Sequence, residues 1–519
     1  MRTSKSLIFI LLTAIFFTNA NAQTDTTARI APKAPKREFR GVWIATVVNI
    51  DWPSAVGLTT EKQKAQLLRI LDFHQQSNMN AIMFQVRPAA DAFYAKSREP
   101  WSRWLSSKQG KAPEPFYDPL DFAITEAHKR GMELHAWVNP YRATFDNNYT
   151  NIAPNHPTRT HPEWFFIYGE QKLFNPGLPE VREYIVQVIL DIVKNYDVDG
   201  IHMDDYFYPY LIAGQTLKDS DAFAQYGEGF TDIKAWRRDN VDKLIKMVGD
   251  SIHKYKPNMK WGVSPRGVWR NKDEDVEGSD THGGPSYTEN YADTRKWIRE
   301  GWIDYINPQI YWQIGNHSAA FDKLVDWWSN NANGHHVYIG QAPYRMAEPR
   351  SPAFKNPREL PNQVRYVRNN PRVQGSVYFS SNSLTSNLLG FTDTLRRDLY
   401  KYPALPPTML WRDSIAPNAP QQLTAVSGPR GVLLTWQAPA PAKDFEPTFG
   451  YVIYRFNADD KIDIDDASKI LFIKYNNEPT LLDNTAQKGK KYIYVVTAID
   501  KIKNESEHSE PYSLTVPLL

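Results

Sequence analysis

The chain has 519 residues, of which 41% are hydrophobic and 13% aromatic, enough for one large domain and one or two small ones. Its 61 Lys and Arg residues nearly balance 58 Asp and Glu residues. The formal net charge is therefore only +3. This excludes a strongly basic protein of the kind that binds nucleic acid or an anionic membrane surface. The sequence contains no Cys, which excludes disulfide bonds and an N-terminal lipidated Cys.

The N-terminus has the pattern of a secretory signal peptide. Arg2 and Lys5 precede an apolar run over 7–17, and Ala20-Asn21-Ala22 forms a small-residue cleavage site. That run is too short to span a bilayer, and no other long apolar segment follows. We therefore expect 1–22 to be removed and the mature protein to be soluble in the periplasm or at the surface of a bacterium. Residues 23–36 are expected to form a flexible leader.

Residues 37–400 alternate short apolar strands with helical segments. The predicted strands are 39–48, 81–87, 133–139, 200–204, 260–264, 305–311, 337–341 and 375–379. The predicted helices are 61–76, 119–130, 179–196, 233–255, 292–300, 318–330 and 357–369. This alternation predicts an α/β fold with a parallel sheet, and eight units of this total length predict a (β/α)₈ TIM barrel. An open, doubly wound sheet is the alternative, but no Gly-rich phosphate loop follows the first strand.

The last hundred residues have a different pattern. Residues 401–416 are Pro-rich and are predicted to be a linker, and short alternating strands follow at 431–436, 451–456 and 491–500. Residues 417–519 resemble a fibronectin type III domain, with matching features at Pro417 and Pro420, LTW (434–436), YVIYR (451–455), and Tyr492 and Tyr494 before Ala498. The resemblance implies a small all-β sandwich that acts as a spacer or as a docking surface for a protein or the cell surface.

Several predicted barrel strands end in polar and aromatic residues, often with Pro. They end in the sequences QVRP (85–88), NPYR (139–142), DDYF (204–207), SPR (264–266) and QIYW (309–312). The ends of barrel strands converge on the C-terminal rim, where barrel enzymes place their chemistry. The convergence of five such ends favours a functional site over simple solvation of loops.

The fourth strand carries the most informative carboxylate. Side chains alternate along a strand, so Ile201 and Met203 are expected to pack outward while His202 and Asp204 face the barrel interior. A carboxylate at the mouth of a barrel is costly unless it is paired or used. We therefore interpret Asp204 as a catalytic residue. Asp205 is equally compatible with catalysis and with capping the next turn.

Two resemblances bear on this site. The segment DGIHMD (199–204) resembles the fourth-strand signature of the α-amylase clan, with His202 in place of its Arg. The whole barrel resembles the glycosyl-hydrolase-like family 10 domain, through motifs in the same order. These motifs are EFRGVWIAT (38–46), FQVRP (84–88), HAWVNPYR (135–142), GIHMDDYFYP (200–209), VSPRGVWRN (263–271) and PQIYW (308–312).

The family resemblance implies a secreted barrel glycosidase that hydrolyses O-glycosyl bonds. Its bacterial members act on peptidoglycan glycan strands, including strands stripped of their stem peptides, and related barrels cleave partly deacetylated poly-N-acetylglucosamine. Glycosidases use two carboxyl groups, one to protonate the leaving oxygen and one as nucleophile or base. Asp204 is the first candidate, but the fifth strand lacks the Glu that an amylase would carry. The second carboxyl is expected among Asp205, Asp91 and the charged loop 273–275.

Other rim residues suit sugar binding by stacking on pyranose rings or by hydrogen bonding. The aromatic candidates are Trp43, Trp137, Tyr141, Tyr206, Trp269, Trp312 and Tyr344, and the polar candidates are Arg87, Asn139, His202, Arg266 and Gln309. The sequence implies no metal and no cofactor. Ser264 lacks the context of a nucleophile elbow, which argues against an esterase.

Three functions are compatible with this pattern. The first is a glycoside hydrolase acting on peptidoglycan-type glycan. The second is hydrolysis of another extracellular polysaccharide, such as poly-N-acetylglucosamine or an α-glucan. The third is a glycan-binding protein on a barrel without activity, which the missing fifth-strand Glu keeps open. The inward-facing Asp204 argues against a pure binding role.

Overall fold

The computed structural model describes residues 34–146 and 150–518, and these residues contain a closed barrel of eight parallel strands. The first strand pairs with both the second and the eighth, which closes the barrel and excludes the open sheet. The predicted signal peptide and the leader up to residue 33 lie outside the described residues. The barrel strands are Phe39–Ile44, Ala81–Arg87, Glu133–Val138, Gly200–Met203, Lys260–Val263, Tyr305–Ile306, His336–Gln341 and Gly375–Tyr378.

Seven crossover helices connect these strands at the predicted places. Their starts are encoded locally: Asp118 and Asp232 each accept hydrogen bonds from two backbone N–H groups in the first turn. The sixth strand is shorter than predicted because Pro308 has no N–H to donate to the sheet. The crossover helices are Thr60–Gln76, Pro119–Lys129, Pro179–Asn195, Ile233–Tyr255, Thr294–Arg299, Phe321–Asn331 and Glu359–Asn369.

Insertions at the C-terminal rim were not predicted from the sequence. One is a hairpin of strands Phe165–Tyr168 and Gln171–Phe174, in the segment after the third barrel strand. Short helices lie in this segment and in other loops: Arg103–Ser106, Pro157–Thr160, Ser220–Tyr226, Ser286–Glu289, Ser381–Thr385 and Phe391–Thr394. No helix in the described part of the chain is long and apolar enough to cross a bilayer.

The C-terminal part is an all-β sandwich of two antiparallel sheets. Its core contains Trp436, Tyr451 and Tyr494, and the rings of Trp436 and Tyr451 meet edge to face with centroids 5.0 Å apart. One sheet has the order Gln421–Gly428, Gly431–Gln437, Thr480–Asp483, and the other Ile470–Lys474, Gly450–Asn457, Lys491–Ile499, Tyr512–Thr515.

Residues 401–416 connect the two domains but are packed against them, so the prediction of a plain linker was incomplete. Leu405 pairs through its backbone with both Lys36 and Glu38 at the start of the barrel, with N···O distances of 2.9 and 3.0 Å. Met409 is fully buried in the hydrophobic cluster that fills the barrel's interior. These two apolar side chains hold the segment in place because their burial removes them from water.

A turn of the sandwich closes the N-terminal end of the barrel. Ile502, in the turn after strand Lys491–Ile499, belongs to the same interior cluster as Phe39 and Tyr338 of the barrel strands. Beside it, the fully buried Lys503 places its ammonium 3.0 Å from the carboxylate of Glu133, at the start of the third strand. Lys260 lies 2.7 Å from the same carboxylate.

Charge compensation makes this junction possible. Burial alone would raise the pKa of Glu133, but the ammonium groups of Lys260 and Lys503 outweigh burial and hold that pKa well below its usual range. A buried carboxylate without such partners would cost several kcal/mol. The sandwich therefore supplies one of the charges that the barrel needs.

Gly131 lets the two domains approach closely. It ends the helix Pro119–Lys129 with a φ of +67°, and an added Cβ would lie 2.4 Å from the carbonyl oxygen of Ile473 in the sandwich. Only glycine adopts a positive φ without strain and has no Cβ to collide with that oxygen. Close to this contact, the backbone N–H of Tyr475 in the sandwich donates to the backbone carbonyl oxygen of His128 in the same helix at 3.1 Å.

We predict that Lys503→Met lowers the free energy of unfolding by about 3 kcal/mol, because it removes one partner of a buried ion pair. The measurement is urea denaturation at neutral pH. The control is Lys488→Met, an exposed lysine of the same domain, whose effect should stay within about 0.5 kcal/mol. Equal urea midpoints for the two variants would show that Lys503 does not support the barrel.

Candidate active site

A cleft of about 280 Å³ opens at the C-terminal rim of the barrel. Its residues come from the ends of all eight strands and the loops that follow them, which is where a barrel concentrates its functional groups. The lining residues are Trp43, Ala45, Val47, Ile50, Gln85, Trp137, Arg142, Phe145, Asp204, Asp205, Tyr206, Tyr210, Ser264, Gln309, Tyr311, Tyr344 and Phe379.

Asp204 lies at the base of this cleft and is 4% exposed. The indole N–H of Trp137 donates to its Oδ2 at 2.9 Å, and the amide of Asn139 donates to the same oxygen at 3.1 Å. The backbone N–H of Tyr206 donates to Oδ1 at 3.4 Å. All of these partners are N–H donors, so the hydrogen bonds favour the ionised carboxylate and fix its orientation.

Asp205 lines the same cleft with different partners. The amide of Gln309 donates to its Oδ1 at 3.2 Å, and the Tyr210 hydroxyl contacts Oδ2. Gln309 also donates to the carbonyl of Ser264 at 3.0 Å, which fixes the amide's orientation. Unlike an N–H group, the Tyr210 hydroxyl can accept as well as donate, so this contact is compatible with a protonated Asp205.

Burial governs the titration of both carboxyl groups. It raises the pKa of Asp204 to about 6, against the opposing charge of Arg142 and with help from the neighbouring Asp205. Burial also raises the pKa of Asp205, while the hydrogen bonds from Tyr210 and Gln309 oppose it. Since each charge disfavours the other, the pair is expected to lose its protons in two steps. Between these two steps, one carboxyl group holds a proton while the other is ionised.

A chain of hydrogen bonds connects the floor of the cleft to the opposite end of the barrel. Trp43 Nε1 donates to His202 Nε2 at 3.1 Å, and His202 Nδ1 lies 3.0 Å from the hydroxyl of Tyr305. That hydroxyl lies 2.9 Å from His135 Nδ1, and His135 Nε2 lies 3.1 Å from Glu133.

The direction of this chain is determined by its two ends. An indole N–H can only donate and a carboxylate can only accept. His202 must therefore carry its proton on Nδ1, and His135 must carry its proton on Nε2. Burial lowers the pKa of both histidines, which keeps them neutral as this arrangement requires.

The walls of the cleft are largely aromatic. Tyr206 and Tyr210 are 38% and 39% exposed, and their ring centroids lie 5.6 Å apart. The Arg142 guanidinium lies 4.5 Å from the centre of the Tyr206 ring, a cation–π contact that holds the ring in place. Tyr344 and Phe379 form another edge-to-face pair at 6.2 Å.

The structure brings part of the predicted set together in this cleft. Asp204, Asp205, Trp43, Tyr206, Gln309 and Tyr344 line it, and so does Trp137. Asn139 and His202 lie behind the lining, where they hold Asp204 and Trp43. These two residues are fully buried, so they orient the groups that face the cleft and do not reach a bound sugar themselves.

Two predicted binding residues, Arg87 and Tyr141, are buried away from the cleft. The guanidinium of Arg87 forms two hydrogen bonds of 2.6 Å with the carboxylate of Glu99 and also binds the carbonyl of Asn139. Tyr141 is 1% exposed within the core between the strands and helices. Arg87 holds the loop after the third strand and Tyr141 is a core residue, so neither of these predicted sugar contacts faces the cleft.

Three more predicted binding residues, Arg266, Trp269 and Trp312, do not line the cleft. Arg266 pairs with Glu289, and Trp269 stacks on Trp327 with ring centroids 5.7 Å apart. The partly buried Trp312 packs against the barrel core. Each of these side chains contacts other parts of the protein and not the cleft, so the structure gives it a structural role.

Asp91 is also separated from the cleft. It is 1% exposed and borders a small pocket with Arg103 and Gln109, and Gln109 donates to its Oδ2 at 3.4 Å. Burial raises the pKa of Asp91 to about 7. The charged loop 273–275 is engaged elsewhere, since Asp275 pairs with Arg270 at 2.6 Å. Of the carboxyl candidates, only Asp205 shares the cleft with Asp204.

Several cleft residues were not among the predicted ones: Gln85, Phe145, Tyr210, Tyr311 and Phe379. Two of them carried a usable signal. Tyr311 lies two positions after Gln309, so the alternation of side chains places both on the same side, and Phe379 is the last residue of the predicted eighth strand. Tyr210 and Phe145 lie in long loops, whose course no local pattern predicts. Among the described residues, no three or more acidic or His side chains converge as a metal site.

The chain is similar in sequence to a known family and to named proteins of two bacteria. The family described as glycosyl hydrolase-like 10 matches residues 38–355. Glycosyl hydrolase YngK of Bacillus subtilis (strain 168) is 45% identical over 496 residues, which cover 95% of this chain and 94% of that protein. Glycosyl hydrolase DigH of Escherichia coli (strain K12) is 36% identical over 375 residues, which cover 67% of this chain and 83% of that protein. The PgaB (BpsB) glycoside hydrolase domain from Bordetella bronchiseptica overlaps at a TM-score of 0.45 with 12% identity, covering 70% of this chain and 98% of that one.

The closed barrel and these sequence relatives define a glycoside hydrolase. Within that class, the chain belongs to the glycosyl hydrolase-like 10 family. The family resemblance that the sequence motifs indicated is thereby confirmed.

We predict that Asp91→Asn retains activity and gains stability at alkaline pH. The raised pKa means that the folded protein binds this proton more tightly than the unfolded chain. Wild-type stability therefore falls as pH rises from about 4 to about 7, by about 2–4 kcal/mol, and the variant escapes this loss. The measurement is the melting temperature at pH 4.5 and pH 8, alongside glycosidase activity. A folded but inactive Asp91→Asn would return Asp91 to the catalytic candidates.

Proposed function

We propose that this protein hydrolyses the glycosidic bonds of peptidoglycan-type glycan strands, using Asp204 and Asp205 as its carboxyl pair. The observation that carries the proposal is the placement of two adjacent, buried carboxyl groups in one aromatic cleft, each held by its own donors. Two buried like charges are costly to maintain, and a protein that only binds sugar has no need of them. This argues against the alternative of a non-catalytic glycan-binding barrel.

The hydrogen-bond partners suggest separate roles for the two groups. Asp204 is surrounded by N–H donors, so it is suited to act as the carboxylate that stabilises positive charge at the anomeric carbon, as nucleophile or otherwise. Asp205 is the other carboxyl group of the cleft and burial raises its pKa, so we assign to it the protonation of the leaving oxygen. This assignment also explains how the enzyme works without a carboxylate at the fifth strand.

The cleft supports a glycan substrate through its surface chemistry. Tyr206, Tyr344 and Phe379 offer ring faces for pyranose stacking, and Gln309 and Gln85 offer amide groups for hydroxyl or N-acetyl recognition. Arg142 is the only Arg or Lys in the lining, so it is the one cation there for the lactyl carboxylates that peptide-free strands carry. Poly-N-acetylglucosamine and α-glucans remain as alternative substrates, and the experiment below separates them from peptidoglycan glycan.

Export and a fibronectin type III-like C-terminal domain belong to the same proposal. The signal-peptide pattern at 1–22 supports action in the periplasm or at the cell surface, where such glycans occur. The arrangement of three strands facing four supports the fibronectin-like assignment. Because Ile502 and Lys503 are buried in the barrel, we propose that the domain's first role is to complete the barrel, with any docking left to its outer surface.

The substrate is tested by incubating the purified protein with intact peptidoglycan, peptide-free glycan strands, poly-N-acetylglucosamine and an α-glucan. The proposal predicts new reducing ends from the peptide-free strands for the wild type and at least about a hundredfold fewer for Asp204→Asn. The matched control is Asp91→Asn. New reducing ends from the α-glucan alone would overturn the substrate assignment. Equal numbers of reducing ends from wild type and Asp204→Asn would overturn the assignment of Asp204 as a catalytic residue.

The roles of the two carboxyl groups are tested with aryl glycosides of different leaving groups. A leaving group that needs no protonation should restore much of the activity of Asp205→Asn, but not that of Asp204→Asn. For the wild type, kcat/KM should rise as pH increases through about 6, because Asp204 must be ionised. If good leaving groups rescue Asp204→Asn instead, the two roles are reversed.

A further inference from the structure

The cleft continues sideways into a second, larger groove of about 600 Å³. The two spaces share four lining residues: Arg142, Phe145, Tyr206 and Tyr210. Tyr206 and Tyr210 thus face the carboxyl pair on one side and the groove on the other. The groove's volume lies within the range of sites that enclose a drug-sized ligand, so it exceeds what a single bond-cleaving position requires.

The groove is built from two insertions that hydrogen-bond to each other. One is the hairpin Phe165–Tyr168 and Gln171–Phe174, and the other is the loop that follows the fourth strand. The amide of Ile212 donates to the Tyr168 hydroxyl at 2.8 Å, and the amide of Gly169 donates to the side chain of Gln215 at 2.8 Å. An added Cβ on Gly169 would lie 2.8 Å from Ile212, so the two insertions are tightly fitted.

The groove presents an apolar surface to solvent next to the site of chemistry. Leu211 is 62% exposed and Ile212 is 40% exposed, and both line it together with Pro209. Glu170 is its only carboxylate and Arg142 its only Arg or Lys, and the Arg142 guanidinium is stacked on Tyr206. Apolar side chains beside tyrosines suit the C–H faces of pyranose rings and the methyl groups of N-acetyl substituents.

We propose that this groove binds the consecutive sugars of an N-acetylated glycan strand on one side of the bond that is cleaved. The inference rests on the proposed function and extends it: the enzyme selects a polymer, with the hairpin–loop wall as the determinant of chain length. The occupant is the substrate strand because the groove is continuous with the cleft through the shared tyrosines. The pre-formed hydrogen bonds between hairpin and loop reduce the entropy cost of binding such a strand.

The test measures binding and cleavage as functions of chain length. The ligands are oligosaccharides of alternating N-acetylglucosamine and N-acetylmuramic acid with two, four, six and eight sugars. Calorimetry with Asp204→Asn gives affinities without turnover, and the wild type gives kcat/KM for each length. The groove variant is Leu211→Ser, also combined with Asp204→Asn. The control is Ile167→Ser, which changes an apolar residue of the neighbouring hairpin that is 51% exposed and does not line the groove.

The proposal predicts that affinity and kcat/KM rise from two to eight sugars. Leu211→Ser should reduce the ratio of long-chain to short-chain kcat/KM about five- to tenfold, while Ile167→Ser keeps the wild-type ratio. Equal affinity for two and eight sugars, or equal effects of the two substitutions, would overturn it. Length-dependent binding that Leu211→Ser weakens, without any cleavage, would support the groove and overturn the proposed hydrolysis. Absence of both binding and cleavage would overturn both proposals.

Discussion

The hydrogen-bond chain through the barrel axis, from Glu133 to Trp43, is the constraint on which the site depends. An ordinary barrel interior is filled by apolar layers. Here a buried carboxylate at one end and an indole at the other impose a single direction on every hydrogen bond between them. Each intermediate group has both a donor and an acceptor to satisfy, so a reversed histidine would leave buried polar atoms unpaired. The orientation of Trp43 at the cleft floor thus depends on Glu133 at the opposite end of the barrel.

This dependence explains why the sandwich is packed into the barrel and not merely attached to it. Glu133 remains ionised because Lys260 and Lys503 surround it, and Lys503 belongs to the sandwich. The same turn contributes Ile502 to the interior cluster. The floor of the cleft at one rim is therefore connected, through hydrogen bonds, to a charge supplied at the other rim by a different domain. The two carboxyl groups of the cleft are held by local hydrogen bonds, from Trp137 and Asn139 to Asp204 and from Tyr210 and Gln309 to Asp205.

Sequence reasoning found what local periodicity encodes. The eight strands, the crossover helices and the inward direction of His202 and Asp204 follow from alternation and capping, which are local. It failed where a partner lies far along the chain or in a loop. Arg87 lies at the end of a strand and was expected to bind sugar, but its guanidinium donates to the carboxylate of Glu99 in the following loop. Lys503 belongs to no sequence motif. Its pairing with Glu133 is seen only where the two domains pack together. The hairpin wall of the groove depends on contacts between residues about 45 positions apart, such as Tyr168 and Ile212.

Neutron diffraction from deuterium-exchanged crystals would locate the protons of this hydrogen-bond chain and so test its direction. We expect deuterium on Nδ1 of His202 and on Nε2 of His135, with His202 Nε2 free to accept from Trp43. Deuterium on both nitrogens of either ring, or on His202 Nε2 instead of Nδ1, would contradict it.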